Sequence, residues 1–295
     1  MKLRTILFLC ALAAPMARAN EIFVADQFSN TIDVYNSSGV GSVYSSSSLL
    51  SSPDALAFNS SGDLFVANGL NNTIVEITPQ GAASVFASSG LDHPDGLAFD
   101  ANGNLFVANL GNSTIEKFST GGSGSLFAST GLAAPGGLSF DASGNLYVAN
   151  DGTSTIQKFT ASGSGSLFAS AGLSHPGAMT IGANGNLYVA NYLTSIIQQF
   201  NAAGTPSFFA SIKGATGIVT DSSGDVYIVD SSNDTIQEID ANGVTSEFSA
   251  TGLSPYGIAI EVQGTPEATS TAVLFALGFG SLLVWRHRRG ASCQN

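Results

Sequence analysis

Asn104-Leu105-Phe106-Val107-Ala108-Asn109 has close copies along the whole chain. They are Ile22-Phe23-Val24-Ala25-Asp26, Leu64-Phe65-Val66-Ala67-Asn68, Leu146-Tyr147-Val148-Ala149-Asn150, Leu187-Tyr188-Val189-Ala190-Asn191 and Val226-Tyr227-Ile228-Val229-Asp230. The aromatic residues fall at 23, 65, 106, 147, 188 and 227, a period near 41 residues. A self-similar period of this length is the signature of a repeat architecture.

Each period holds four strand-like pieces. In the cleanest copy they are Pro94 to Asp100, Asn104 to Asn109, Thr114 to Phe118 and Ser125 to Ala128. Gly, Asn, Asp and Ser fill the gaps, so short antiparallel strands joined by tight turns are expected. The second strand is apolar on both faces, with Leu105 and Val107 pointing one way and Phe106 and Ala108 the other. A sheet wet on one side would alternate apolar and polar residues. Both faces therefore need covering, and four-stranded sheets stacked radially at this period make a β-propeller.

Six first strands begin near Pro53, Pro94, Pro135, Pro176, Thr216 and Pro255. The earliest second strand, at Ile22, precedes all of them, and the last first strand has no second strand after it. The two leftovers complete one another. The prediction is an all-β, six-bladed propeller over residues 20–262, its last blade closed by one C-terminal and three N-terminal strands, leaving no open edge in the ring.

The repeat resembles the NHL repeat, and more loosely the lactonase and streptogramin-lyase propellers. Pro94-Asp95-Gly96-Leu97-Ala98 and Gly103-Asn104-Leu105-Phe106-Val107-Ala108-Asn109 carry the resemblance. Thr31, Thr73, Thr114, Thr155 and Thr235 stand where that pattern has Arg, and Ile196 does so in the sixth copy. The resemblance implies an interaction scaffold as often as an enzyme.

Both ends differ from the body. Residues 1–19 read as a secretory signal: Lys2 and Arg4, a short apolar run, then Ala17-Arg18-Ala19. Residues 268–285 carry no charge and, as a helix, extend roughly 27 Å, enough to span a bilayer. The basic tail 286–295 that follows predicts a cytoplasmic end and an exported body. The tail resembles the PEP-CTERM sorting signal of Gram-negative bacteria through Pro266, Glu267, Arg286, Arg288 and Arg289, with Ala268 in place of the second proline. The resemblance implies an exosortase as processing partner, 263–267 as linker, and a body anchored in the membrane or released to the cell surface or matrix.

The only cysteines, Cys10 and Cys293, lie in these end segments, so the body has no disulfide framework. Between residues 20 and 264 stand Lys117, Lys158 and Lys213 against twenty acids. Such a surface repels nucleic acid, whose binding is not expected. It keeps a Ser- and Gly-rich body soluble, and it also tolerates cations or neutral glycans.

Asp26, Asn68, Asn109, Asn150, Asn191 and Asp230 close the second strands at one fixed position, which points to a repeated turn bond. Irregular positions in otherwise regular loops are better candidates for function. On the face where strand four feeds the next strand one, they are Asp54, His93, Asp95, His175 and Tyr256. With Asn68 and Asn109, Asp54 and Asp95 could form an oxygen-rich pocket for Ca²⁺ or Mg²⁺. Alternatively, Asp54 and Asp95 are surface turn residues and His93 is exposed. The body has only two histidines, and no Gly-x-Ser-x-Gly elbow occurs. The leading expectation is thus a non-catalytic scaffold for an exopolysaccharide or surface protein. The alternative is a metal-dependent lyase or lactonase at the propeller mouth.

Overall fold

The computed structural model describes residues 21–252 and 254–261. The secretory signal, the sorting motif, the apolar span and the basic tail all lie outside the described residues.

The described chain is a six-bladed propeller of four-stranded antiparallel blades. Blades one to five occupy 53–87, 94–128, 135–169, 176–211 and 215–250. Blade six joins Pro255–Ile260 to Ile22–Asp26, Thr31–Tyr35 and Gly41–Ser45, in that order from the axis outward. Ile22 pairs with Ile260 and Asp26 with Pro255, which closes the ring as the unpaired strands required.

The second strands are the covered layer. Leu105–Asn109 is buried at every residue. Leu105 and Val107 pack with Phe65, Ala67 and Ile74 of blade one. Phe106 and Ala108 pack with Leu138, Leu146 and Val148 of blade three. Phe106 meets Phe127 and Phe140 edge-on at 4.9 and 5.0 Å, an arrangement its ring quadrupole favours.

The inner strands touch their neighbours around the axis, and small residues let them approach. A Cβ at Gly96 would lie 2.1 Å from the Gly136 carbonyl oxygen, whereas one at Gly177 would meet nothing within 4 Å. Gly96→Ala therefore forces two backbones apart, at about 1–3 kcal/mol, while Gly177→Ala stays within about 0.5 kcal/mol of the parent. Comparing the two variants by urea unfolding checks this; equal midpoints would contradict the close approach.

Candidate functional site

The mouth is built from three positions that recur in every blade. The first is a bulge. Pro53 pairs with Asn68 and Ala55 with Ala67, so Asp54 has no partner on the ladder. Pro94 and Gly96 leave Asp95 out in the same way, and the register shifts at this point in all six blades. A bulged residue is turned out of the ladder. Here the six are Asp54, Asp95, Gly136, Gly177, Thr216 and Tyr256, and all line one cavity on the axis. Below them Leu56, Leu97, Leu138, Met179, Ile218 and Ile258 form an apolar floor. The cavity holds about 490 Å³.

The second position precedes each inner strand. Ser52, His93, Ala134, His175 and Ser254 are left-handed there, with φ between +45° and +62°, and Gly214 has the same sign in blade five. The side chain of a left-handed residue on the preceding blade holds the backbone N–H in place. Asn72 Oδ1 accepts from His93, and Ser154 Oγ accepts from His175. These clasps lift both imidazoles to the rim, where each is about half exposed.

The third position follows the repeated Asn or Asp: Gln27, Gly69, Leu110, Asp151, Tyr192 and Ser231. All but Gly69 line the cavity. Asp151 Oδ1 lies 3.0 Å from His175 Nδ1. The equivalent of Asp151 two seams earlier in the ring is Gly69, so His93 turns to the bulged acid instead, with Nε2 3.6 Å from Asp54 Oδ2.

Asp54 is buried in its strand. Its carboxylate accepts from Gln27 Nε2 and from Ser52 Oγ at 3.5 Å. Burial nevertheless pushes its pKa up. Asp95 is enclosed by protein, and water reaches it only through the channel. Burial first, and then the charges of Asp54 and Asp151, push it up to about 7. The Tyr256 phenol is raised too, chiefly by Asp95 and then by burial.

The structure therefore brings Asp54, His93, Asp95, His175 and Tyr256 to one mouth. It employs Asn68 and Asn109 elsewhere, and this changes the donor set suggested by the sequence. Asn109 is fully buried; Oδ1 accepts from Asp92 N–H, and Nδ2 donates to the Gly90 carbonyl and Thr114 Oγ1. Asn68 makes the same three bonds, with Ser51, Leu49 and Thr73. Both amides are buried within these bonds, and neither residue lines the channel. Gln27, Asp151, Tyr192 and Thr216 complete the mouth without having been singled out from the sequence. They stand in columns where the six copies disagree, which was the available signal.

No protein-family model matches the chain, and no curated protein sequence does. The fold has many solved neighbours. A chain of a nidogen/laminin complex matches with a TM-score of 0.75 at 17% identity, over 83% of this chain and 99% of that one. Virginiamycin B lyase from Staphylococcus aureus matches with a TM-score of 0.65 at 18% identity, over 81% and 84%. A streptogramin B lyase matches at 0.64 and 15%, over 82% and 92%. The chain has the six-bladed β-propeller fold. At these identities the likeness shows the fold; one neighbour comes from a binding complex and two are lyases.

Proposed function

We propose that the chain is an exported propeller, associated with the cell surface or matrix after exosortase-type sorting, and that it binds the end of an exopolysaccharide in its mouth. The observation that carries this is the division of labour within the repeat. Loop lengths and turn bonds are nearly constant, while the side chains on the three mouth positions vary from blade to blade. Tyr192 and Tyr256 offer aromatic faces, and Asp95, Asp151 and Thr216 offer hydroxyl partners around a floor of aliphatic side chains. Polar and apolar surface share the lining about equally, and convergent polar groups over an apolar base are what orient a ligand in a concave site.

The test is a binding screen of the purified protein against anionic and neutral oligosaccharides, with Gly177→Trp as a plug. Gly177 lines the mouth and a Cβ there would meet nothing within 4 Å, so a large side chain starts into open space. Saturable binding by the parent and none by the plugged variant is expected. Binding that survives the plug, or a surface protein captured in place of any glycan, would overturn the assignment. A second reading, a metal-dependent lyase or lactonase, draws on the Asp54–His93–Asp95 cluster. It requires turnover of a cyclic ester or an eliminable substrate by the metal-loaded chain.

A further inference from the structure

We propose that Asp54, His93 and Asp95 form a divalent-cation site of borderline softness, suited to Zn²⁺ or Co²⁺ over Mg²⁺ and Ca²⁺. One donor atom from each of the three side chains lies within 4.8 Å of the other two. Donors around a four- or six-coordinate ion with bonds of about 2.1 Å sit roughly 3.0–3.4 Å apart, and His93 Nε2 is already 3.6 Å from Asp54 Oδ2. A modest rotation of Asp95 completes a face of three donors, leaving the channel side for water or ligand.

Two further observations separate this from a chance gathering of acids. Among the described residues, no hydrogen-bond donor reaches the Asp95 carboxylate, although it lies deep in the channel. The half-buried carboxylate has only channel water to serve it, and an ion would supply a stronger partner. The second observation is Gly69. A Cβ there would fall 1.8 Å from Asp54 Oδ2 and 3.3 Å from His93 Nε2. The same position carries a side chain in the other five copies, so the cradle exists only at this seam.

The donor types decide the class of ion. Mg²⁺ and Ca²⁺ prefer all-oxygen shells. With Asn68 and Asn109 committed to backbone bonds, the third donor here is an imidazole nitrogen, which favours later first-row ions. The site goes beyond the binding-scaffold assignment and can fail while glycan binding survives.

The experiment uses the full chain purified in detergent, stripped with EDTA, and titrated calorimetrically with Zn²⁺, Co²⁺, Mg²⁺ and Ca²⁺. Co²⁺ absorbance reports the ligand field. One saturable Zn²⁺ equivalent is expected, with much weaker Mg²⁺ binding. His93→Ala and Asp95→Asn should each weaken Zn²⁺ by roughly 100-fold or more, since even outer partners of a metal cost 10–100-fold. Gly69→Ala should weaken it with the fold intact by circular dichroism, and His175→Ala should leave it unchanged. Absence of saturable Zn²⁺ binding would overturn the proposal. So would Zn²⁺ binding that survives both ligand variants, or Mg²⁺ and Ca²⁺ binding as tightly as Zn²⁺.

Discussion

Asp95→Asn is expected to melt roughly 4–8 °C above the parent chain at pH 8 in EDTA, at about 2–4 °C per kcal/mol for a body this size. The carboxyl is pushed from an ordinary 3.8 up to about 7 in the folded protein. For an acid with a raised folded pKa, the native state takes up its proton before the unfolded chain does. The cost of the charge is complete above pH 7, shrinks as pH falls from 7 towards 4, and is absent below that. A shift of this size corresponds to about 4 kcal/mol at face value, and water in the channel reduces it to about 2 kcal/mol. The amide removes the charge and keeps the shape. Melting curves of both proteins from pH 4 to 8 check this: the gap should narrow below pH 7 and close near pH 4. A gap independent of pH would mean that the charge on Asp95 is not the cause.

Asn109→Ala is expected to cost about 3 kcal/mol, a drop of roughly 6–12 °C. The side chain is fully buried and makes three hydrogen bonds, two of them to the backbone of the loop that enters its own blade. Alanine takes the partner from the Asp92 N–H and the Gly90 carbonyl where they meet the buried Asn109 side chain, and a group left unsatisfied costs about 1–3 kcal/mol. Asn109→Asp should be at least as damaging, because a carboxylate oxygen would face the Gly90 carbonyl. Asn102→Ala, on an exposed turn, is the control and should stay within about 0.5 kcal/mol. Similar denaturation midpoints for the Asn109 and Asn102 variants would remove Asn109 from the framework.

The repeat made much of this legible in advance. Leu105, Phe106, Val107 and Ala108 called for cover on both faces, and the blade-six closure followed from two incomplete sets of strands. The repeated Asn announced a fixed local bond, but its partners lie 17 and 19 residues upstream, on a loop that only folding brings near. The two Asp copies bond within their own turns: Asp26 and Asp230 each accept from the N–H groups two and three residues on. Asp54 and Asp95 could be placed at the mouth from their loops. Their depth could not, because it depends on a bulge, and a bulge shows only in the pairing register. Gly69 was invisible for a similar reason. A glycine after an Asn reads as turn chemistry, while its importance lies in the space it leaves between Asp54 and His93.

The pairing of Ile22 with Ile260 also has a mechanical side. The first and last strands meet at the ends away from the mouth, where the Glu261 N–H also donates to the Glu21 carbonyl, so tension applied between the two ends loads this edge of the ladder first. The ladder would then part rung by rung, as a zipper does, at far lower force than strands sheared along their length. The last pair to give way, Asp26 with Pro255, sits beside Tyr256. A stretched chain would keep its mouth intact through the early rungs and lose it only when the mouth wall itself comes away.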